Sequence, residues 1–193
     1  MLFCVIIKAK YMNTRKAITL LNCIAKNLGG VSKLKAVKLL YFIEKNHFSK
    51  YGRFITGDNY IKMPLGPVPS RILNMIDNPK AVLQPDDYAY LKRHISFSDS
   101  NYRTMTSIKD PDIDLLSKSE ITAIDDVLKK YGQMHAKKLV NISHKERAWE
   151  RAAELEPLSV EDMVYDLPAE RKEALLSRYY EDVAVDNCMA CCA

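Results

Sequence analysis

The hydrophobic pattern changes period several times before residue 80, and each change marks an element. From Thr14 to Leu28, Ile18, Leu21, Ile24, Ala25 and Leu28 recur at helical spacing, and Gly29-Gly30 supplies the stop. Ser32 stands where an N-cap would, ahead of a second helix from Lys33 to about Lys50, with Gly52 as its C-terminal break. At about 100° per residue, Leu34, Val37, Leu40, Tyr41 and Phe48 cover one broad face of this helix. Leu39, Phe42 and Ile43 cover much of the other, which leaves a strip of Lys35, Lys38 and Lys45 for water. A helix apolar on nearly every side belongs in the middle of a fold, so this one is expected to be the central element.

After Gly52 the period shortens. Phe54-Ile55-Thr56 and Asn59-Tyr60-Ile61-Lys62-Met63 are expected as two short strands around Gly57-Asp58, with Pro64 ending the pairing. Gly66-Pro67-Val68-Pro69 fixes two φ angles and leads into a helix near Ser70 to Ile76, closed by Asn78-Pro79. A short helix at Asp86 to Lys92 precedes a hairpin of His94 to Phe97 with Tyr102 to Thr106, turning at Ser98 to Asn101. Ser117 and Glu120 form a capping box for a helix that carries Ile121, Ile124, Leu128 and Tyr131 and ends at Gly132. Short helices at about His135 to Ile142, Lys145 to Ala153 and Ser159 to Leu167 follow, and Pro168 opens a last one through Tyr180. The expected fold is therefore mainly α with a small antiparallel β element, compact around the central helix at about 33–50, plus a C-terminal helical extension.

Composition narrows the class. A chain of 193 residues, 48% hydrophobic and 27% charged, is that of an ordinary globular protein with room for one real core. No apolar run approaches the ~20 residues that span a bilayer, and Leu2 to Ile7 lacks the basic flank of a secretory signal, so a cytoplasmic protein with no membrane partner is expected. Met12, just before the first helix, makes residues 1–11 either an over-extended start or an edge strand. The net charge of +5 is uneven: residues 1–62 hold twelve Lys or Arg against only Glu44 and Asp58. Such a basic half attracts nucleic acid or an acidic protein surface, unless the charges are simply solvated faces.

Candidate chemistry is sparse. Five cysteines (Cys4, Cys23, Cys188, Cys191 and Cys192) are too scattered for a disulfide framework. Cys188-x-x-Cys191-Cys192 finds no second Cys or His pair at ligand spacing, so neither metal nor cofactor is expected and a reduced tail is the simpler reading. Ser32-x-x-Lys35 lacks the later motifs of a penicillin-binding enzyme, and the six glycines open no phosphate loop. Asp58 and His144, with Ser143 or Thr56, would serve as acid and base if the fold brought them together; turn chemistry accounts for Asp58 as well. Trp149, the single tryptophan, is either a packing anchor between helices or a binding hot spot. No catalytic residue is assigned.

Several ordered motifs carry a resemblance. Lys38-Leu39-Leu40-Tyr41-Phe42, Tyr51-Gly52-Arg53, Ile55-Thr56-Gly57-Asp58, Tyr60, Gly66-Pro67-Val68-Pro69, and later His144 with Trp149, together resemble the Panacea domain, the SocA-like antitoxin domain. The likeness covers roughly residues 14–153, leaving 1–13 as an extension and 154–193 as an acidic helical extension with a cysteine-containing tail. Ala36-Val37 departs mildly from the leucine and glutamine that family members often carry there. The resemblance implies an antitoxin that neutralises a cognate toxin by direct protein binding. It also admits an adaptor that delivers the toxin to a ClpXP-type protease; a nucleic-acid-binding autorepressor remains open from the charge. Tyr41, Thr56, Gly57, Asp58, Tyr60, Gly66, Pro67, Val68, Pro69, His144 and Trp149 are the signature or partner-binding candidates. Thr56 to Tyr60 and Gly66 to Ser70, as loops on a rigid scaffold, are the expected contact surface unless their role is purely structural. The acidic segment from Glu154 is a candidate addition to that surface, or to a homodimer contact.

Overall fold

The computed structural model describes residues 12–98 and 104–191. The expectations for residues 1–11 and for the turn through Asn101 lie outside them. Helix α1 (Thr14–Leu28) starts at Asn13, whose side chain accepts the Lys16 N–H, and ends at left-handed Gly29. A two-residue strand, β1 (Val31–Ser32), leads into α2 (Lys33–Tyr51). Ser32 holds the N-cap position but makes no capping bond with its side chain. Gly52 closes α2 at φ 68°, and a Cβ there would lie 2.8 Å from the carbonyl oxygen of Leu175. Both conformation and close approach therefore demand glycine.

The next strands correct the sequence expectation. Phe54 to Thr56 form no strand; the hairpin pairs β2 (Tyr60–Met63) with β3 (Gly66–Pro69), with Tyr60 opposite Pro69 and Met63 opposite Gly66. Pro67 and Pro69 have no N–H, so β3 can serve only where one side needs no ladder, and that side packs on α2. Helices α3 (Ser70–Asp77), α4 (Pro79–Val82) and α5 (Pro85–His94) follow. Strand β4 (Ile95–Phe97) pairs with β5 (Thr104–Ser107), and β5 also pairs with β1, giving the order β1-β5-β4. Two residues carry no readable period, which is why β1 is invisible in the sequence.

Beyond a 3-10 turn at Ile113–Leu115, α6 (Lys118–Tyr131) begins with the expected Ser117 and Glu120 capping box. Helices α7 (Ala136–Ser143), α8 (Arg147–Arg151), α9 (Val160–Met163) and α10 (Ala169–Cys191) complete the chain, α10 running well past Tyr180. The protein is mainly helical with a small antiparallel component, as expected. Helix α2 sits at its centre, packed against α1, α6, α7, β3 and α10. Among the described residues, no helix is long and apolar enough to cross a membrane.

One lysine of the supposed solvent strip behaves differently. Lys38 is 0% exposed, because β3 and α7 close over that side of α2. Toward the C-terminal end of α2, Tyr179 of α10 meets Phe48 and Phe54 edge to face, and Leu175 and Val183 are buried.

Candidate partner-binding site

Glu44 and Asp58 organise the chain between α2 and α3. Glu44, fully buried on α2, accepts the N–H of Ile55 at 2.6 Å through one oxygen. Its other oxygen takes the N–H and hydroxyl of Thr56, at 2.9 and 2.5 Å. A loop with no strand partner thus satisfies its backbone on one carboxylate. Asp58 does the same for the next junction, accepting the N–H groups of Asn59, Arg71 and Ile72 at 2.8, 3.2 and 2.8 Å. Pro69 at the N-cap of α3 has no side-chain acceptor, so Asp58 caps that helix from a distance. Burial lifts both carboxyls above their ordinary values, against the pull of these donors.

Lys38 pins the hairpin to the core. Its Nζ donates to the Pro67 carbonyl at 2.7 Å, using the acceptor that β3 turns toward α2. Burial lowers its pKa to about 7. Gly66 makes this approach possible: φ is 96°, and a Cβ would lie 2.4 Å from Ser143 Oγ and 3.1 Å from Lys38 Nζ. Ser143, itself buried, donates to the Val140 carbonyl at 2.9 Å.

Tyr41 and Trp149, the latter stacked on His144, add further contacts to the hairpin. Tyr41 and Tyr60 meet edge to face at 5.4 Å, and the Tyr41 hydroxyl lies 3.5 Å from Glu146, which also pairs with Lys45. Burial raises both tyrosines well above their usual range; Glu146 adds to the effect at Tyr41, and Glu44, Asp58 and Tyr41 at Tyr60. His144 stacks on Trp149 at 4.0 Å, nearly parallel, and Trp149 Nε1 donates to the Met63 carbonyl at 3.1 Å. Lys62 Nζ stands 4.6 Å from the centre of the same indole and donates to the Ala152 carbonyl at 2.9 Å. The result is a fixed hairpin whose turn, Pro64-Leu65, stands free, with Leu65 56% exposed.

The candidate residues therefore fall into place differently from the expected exposed loops. Thr56, Gly57, Asp58, Tyr60, Gly66, Pro67, Val68 and Pro69 are all buried. Tyr41 is fully buried, while His144 and Trp149 are half-buried. Asp58 and His144 are not brought together as acid and base: Asp58 faces the α3 terminus and His144 lies on Trp149. The sequence placed Lys38 in a solvent strip, offered Ser143 only beside an Asp58–His144 pair, and gave Glu44 and Glu146 no role. The signal available for Glu44 was a lone acid among apolar neighbours on both faces of a buried helix.

Seven of the ten described Lys and Arg in residues 12–62 pair with acids of this chain. Arg15 pairs with Asp87, Lys16 and Arg53 with Glu120, Lys26 with Asp110, Lys33 with Asp77, Lys45 with Glu146 and Lys50 with Asp126. Every one of these acids lies after residue 76, so bases clustered in the sequence meet acids from the rest of the chain in space. Burial opposes ionisation of Glu120, yet its donors from Lys16 and Ser117 outweigh that and hold its carboxyl below the ordinary value.

A mainly helical body wrapped around one buried helix, with a hairpin locked onto it by Lys38 and Trp149, defines the class of domain. The chain belongs to the family described as antitoxin SocA-like, Panacea domain, whose model matches residues 37–150. Neither a curated protein nor a solved structure matches it.

Proposed function

We propose that this protein is the antitoxin of a toxin–antitoxin pair and neutralises a cognate toxin by direct protein contact, with the hairpin turn Pro64-Leu65 in the contact surface. Membership of the SocA-like antitoxin family over residues 37–150 carries the reading. The signature residues support it through what they build. They are committed to backbone and packing contacts that fix the hairpin, and the one large apolar side chain at its turn is left to solvent. A binding role is favoured over a catalytic one by the same commitments. The internal pairing of the basic residues speaks against a nucleic-acid interface built on the amino-terminal charge.

Co-expression with the adjacent gene tests the reading. The neighbour alone is expected to arrest growth, the pair to grow and to co-purify, and Leu65→Asp to weaken neutralisation at least about tenfold in dose without changing the unfolding midpoint. A harmless neighbour sinks the antitoxin assignment; full neutralisation by Leu65→Asp sinks the hairpin surface. If growth is rescued only in a host with its ClpXP-type protease, and toxin levels fall, delivery replaces direct neutralisation.

A further inference from the structure

The geometry points to the outer edge of β2 as a strand-addition site for an extended segment of a partner polypeptide, closed in this chain by its own residues 155–158. The hairpin can grow only at β2, since β3 packs on α2 and has prolines at two of its four positions. Residues 155–158 lie antiparallel along that edge. Lys62 N–H donates to the Glu156 carbonyl at 3.0 Å, Leu155 N–H to the Lys62 carbonyl at 3.0 Å, and Leu158 N–H to the Tyr60 carbonyl at 2.8 Å. Pro157 bridges Ile61, a position that asks for no N–H, and Leu158 is buried in the core. The edge thus offers a ligand the Lys62 N–H and the carbonyls of Tyr60 and Lys62, a position opposite Ile61 that tolerates proline, and a buried seat for the apolar residue after it.

Three observations mark the occupant as exchangeable. The strand it closes over, β2, lies inside the matched residues 37–150, while the strap lies wholly outside them. Its first residue, Leu155, is the one non-glycine among the described residues with positive φ, at 65°, and its side chain is 65% exposed. A cavity of about 240 Å³ also remains between Leu158, Asp58 to Tyr60, and Tyr179 and Val183 of α10, so the strap fills its seat incompletely. This inference concerns the edge alone and does not depend on the partner being a toxin.

Hydrogen exchange on the full chain, with a synthetic peptide of residues 153–164 as probe, tests it. The N–H groups of Lys62, Leu155 and Leu158 are expected to exchange together, faster than those of α2. Leu158→Ala raises their exchange at least about tenfold and tightens peptide binding by a similar factor, because the open edge is more populated. Leu155→Gly relieves the backbone strain and moves both readouts the opposite way by a few fold. A peptide with Phe in place of Leu158 binds more tightly than the Leu peptide by using the cavity. The inference is overturned if the strap N–H groups exchange only with α2, or if neither variant changes peptide binding. Failure here leaves the toxin co-expression result untouched.

Discussion

Replacing Lys38 with methionine separates a buried amine from the apolar stem that carries it. The side chain keeps a similar length and loses its charge and its bond to the Pro67 carbonyl. In the folded protein burial lowers the Lys38 pKa from 10.5 to about 7. Between these values the unfolded chain binds a proton that the folded chain releases, so native stability rises with pH through that window. One pKa unit corresponds to about 1.36 kcal/mol. From pH 7 to pH 9 the wild type is therefore expected to gain about 2 kcal/mol from this group, less than two full units because the folded amine is still half protonated at pH 7. Lys38→Met has no such term. Urea denaturation of both proteins at pH 6, 7, 8 and 9 reads the difference, in which groups common to both cancel. The variant should lose ground steadily as pH rises and be closest to, or above, the wild type at pH 6. Parallel profiles across this range would refute the assignment of a neutral, buried amine beneath the hairpin.

Two other perturbations address the same scaffold. Glu44→Gln leaves one acceptor oxygen where two oxygens now serve Ile55 and Thr56, and sets an NH₂ against a donor; a loss of about 1–3 kcal/mol is expected by chemical denaturation, and unchanged stability would exclude Glu44 as the anchor of the loop. Gly66→Ala places a Cβ 2.4 Å from Ser143 Oγ at φ 96°, for an expected loss of at least about 2 kcal/mol; adding Ser143→Ala should recover the steric part and leave the conformational part, so full recovery or none would contradict this account.

Local pattern by itself determined helices α1, α2 and α6, including Gly29, Gly52 and the Ser117 capping box, because those features depend on residues within a few positions of one another. It also determined that α2 is central, since a helix apolar on both faces has no stable place at a surface. The ordered motifs located the family. What the motifs do was decided only in three dimensions. Thr56-Gly57-Asp58 looks like a turn between strands, yet it is a strandless loop whose hydrogen bonds go to Glu44 and whose aspartate caps a helix 13 positions on. Gly66-Pro67-Val68-Pro69 reads as a stiff lead into the next helix and is also a hairpin strand, with one of its carbonyls on a buried lysine. The charge asymmetry was plain in the sequence, but the pairing of seven of those bases with acids from residue 77 onward was not. The physical reason is common to all three: hydrogen bonds and ion pairs are satisfied across space, and the partner of a buried polar group lies wherever packing brings a complementary atom, at no spacing a single chain reveals.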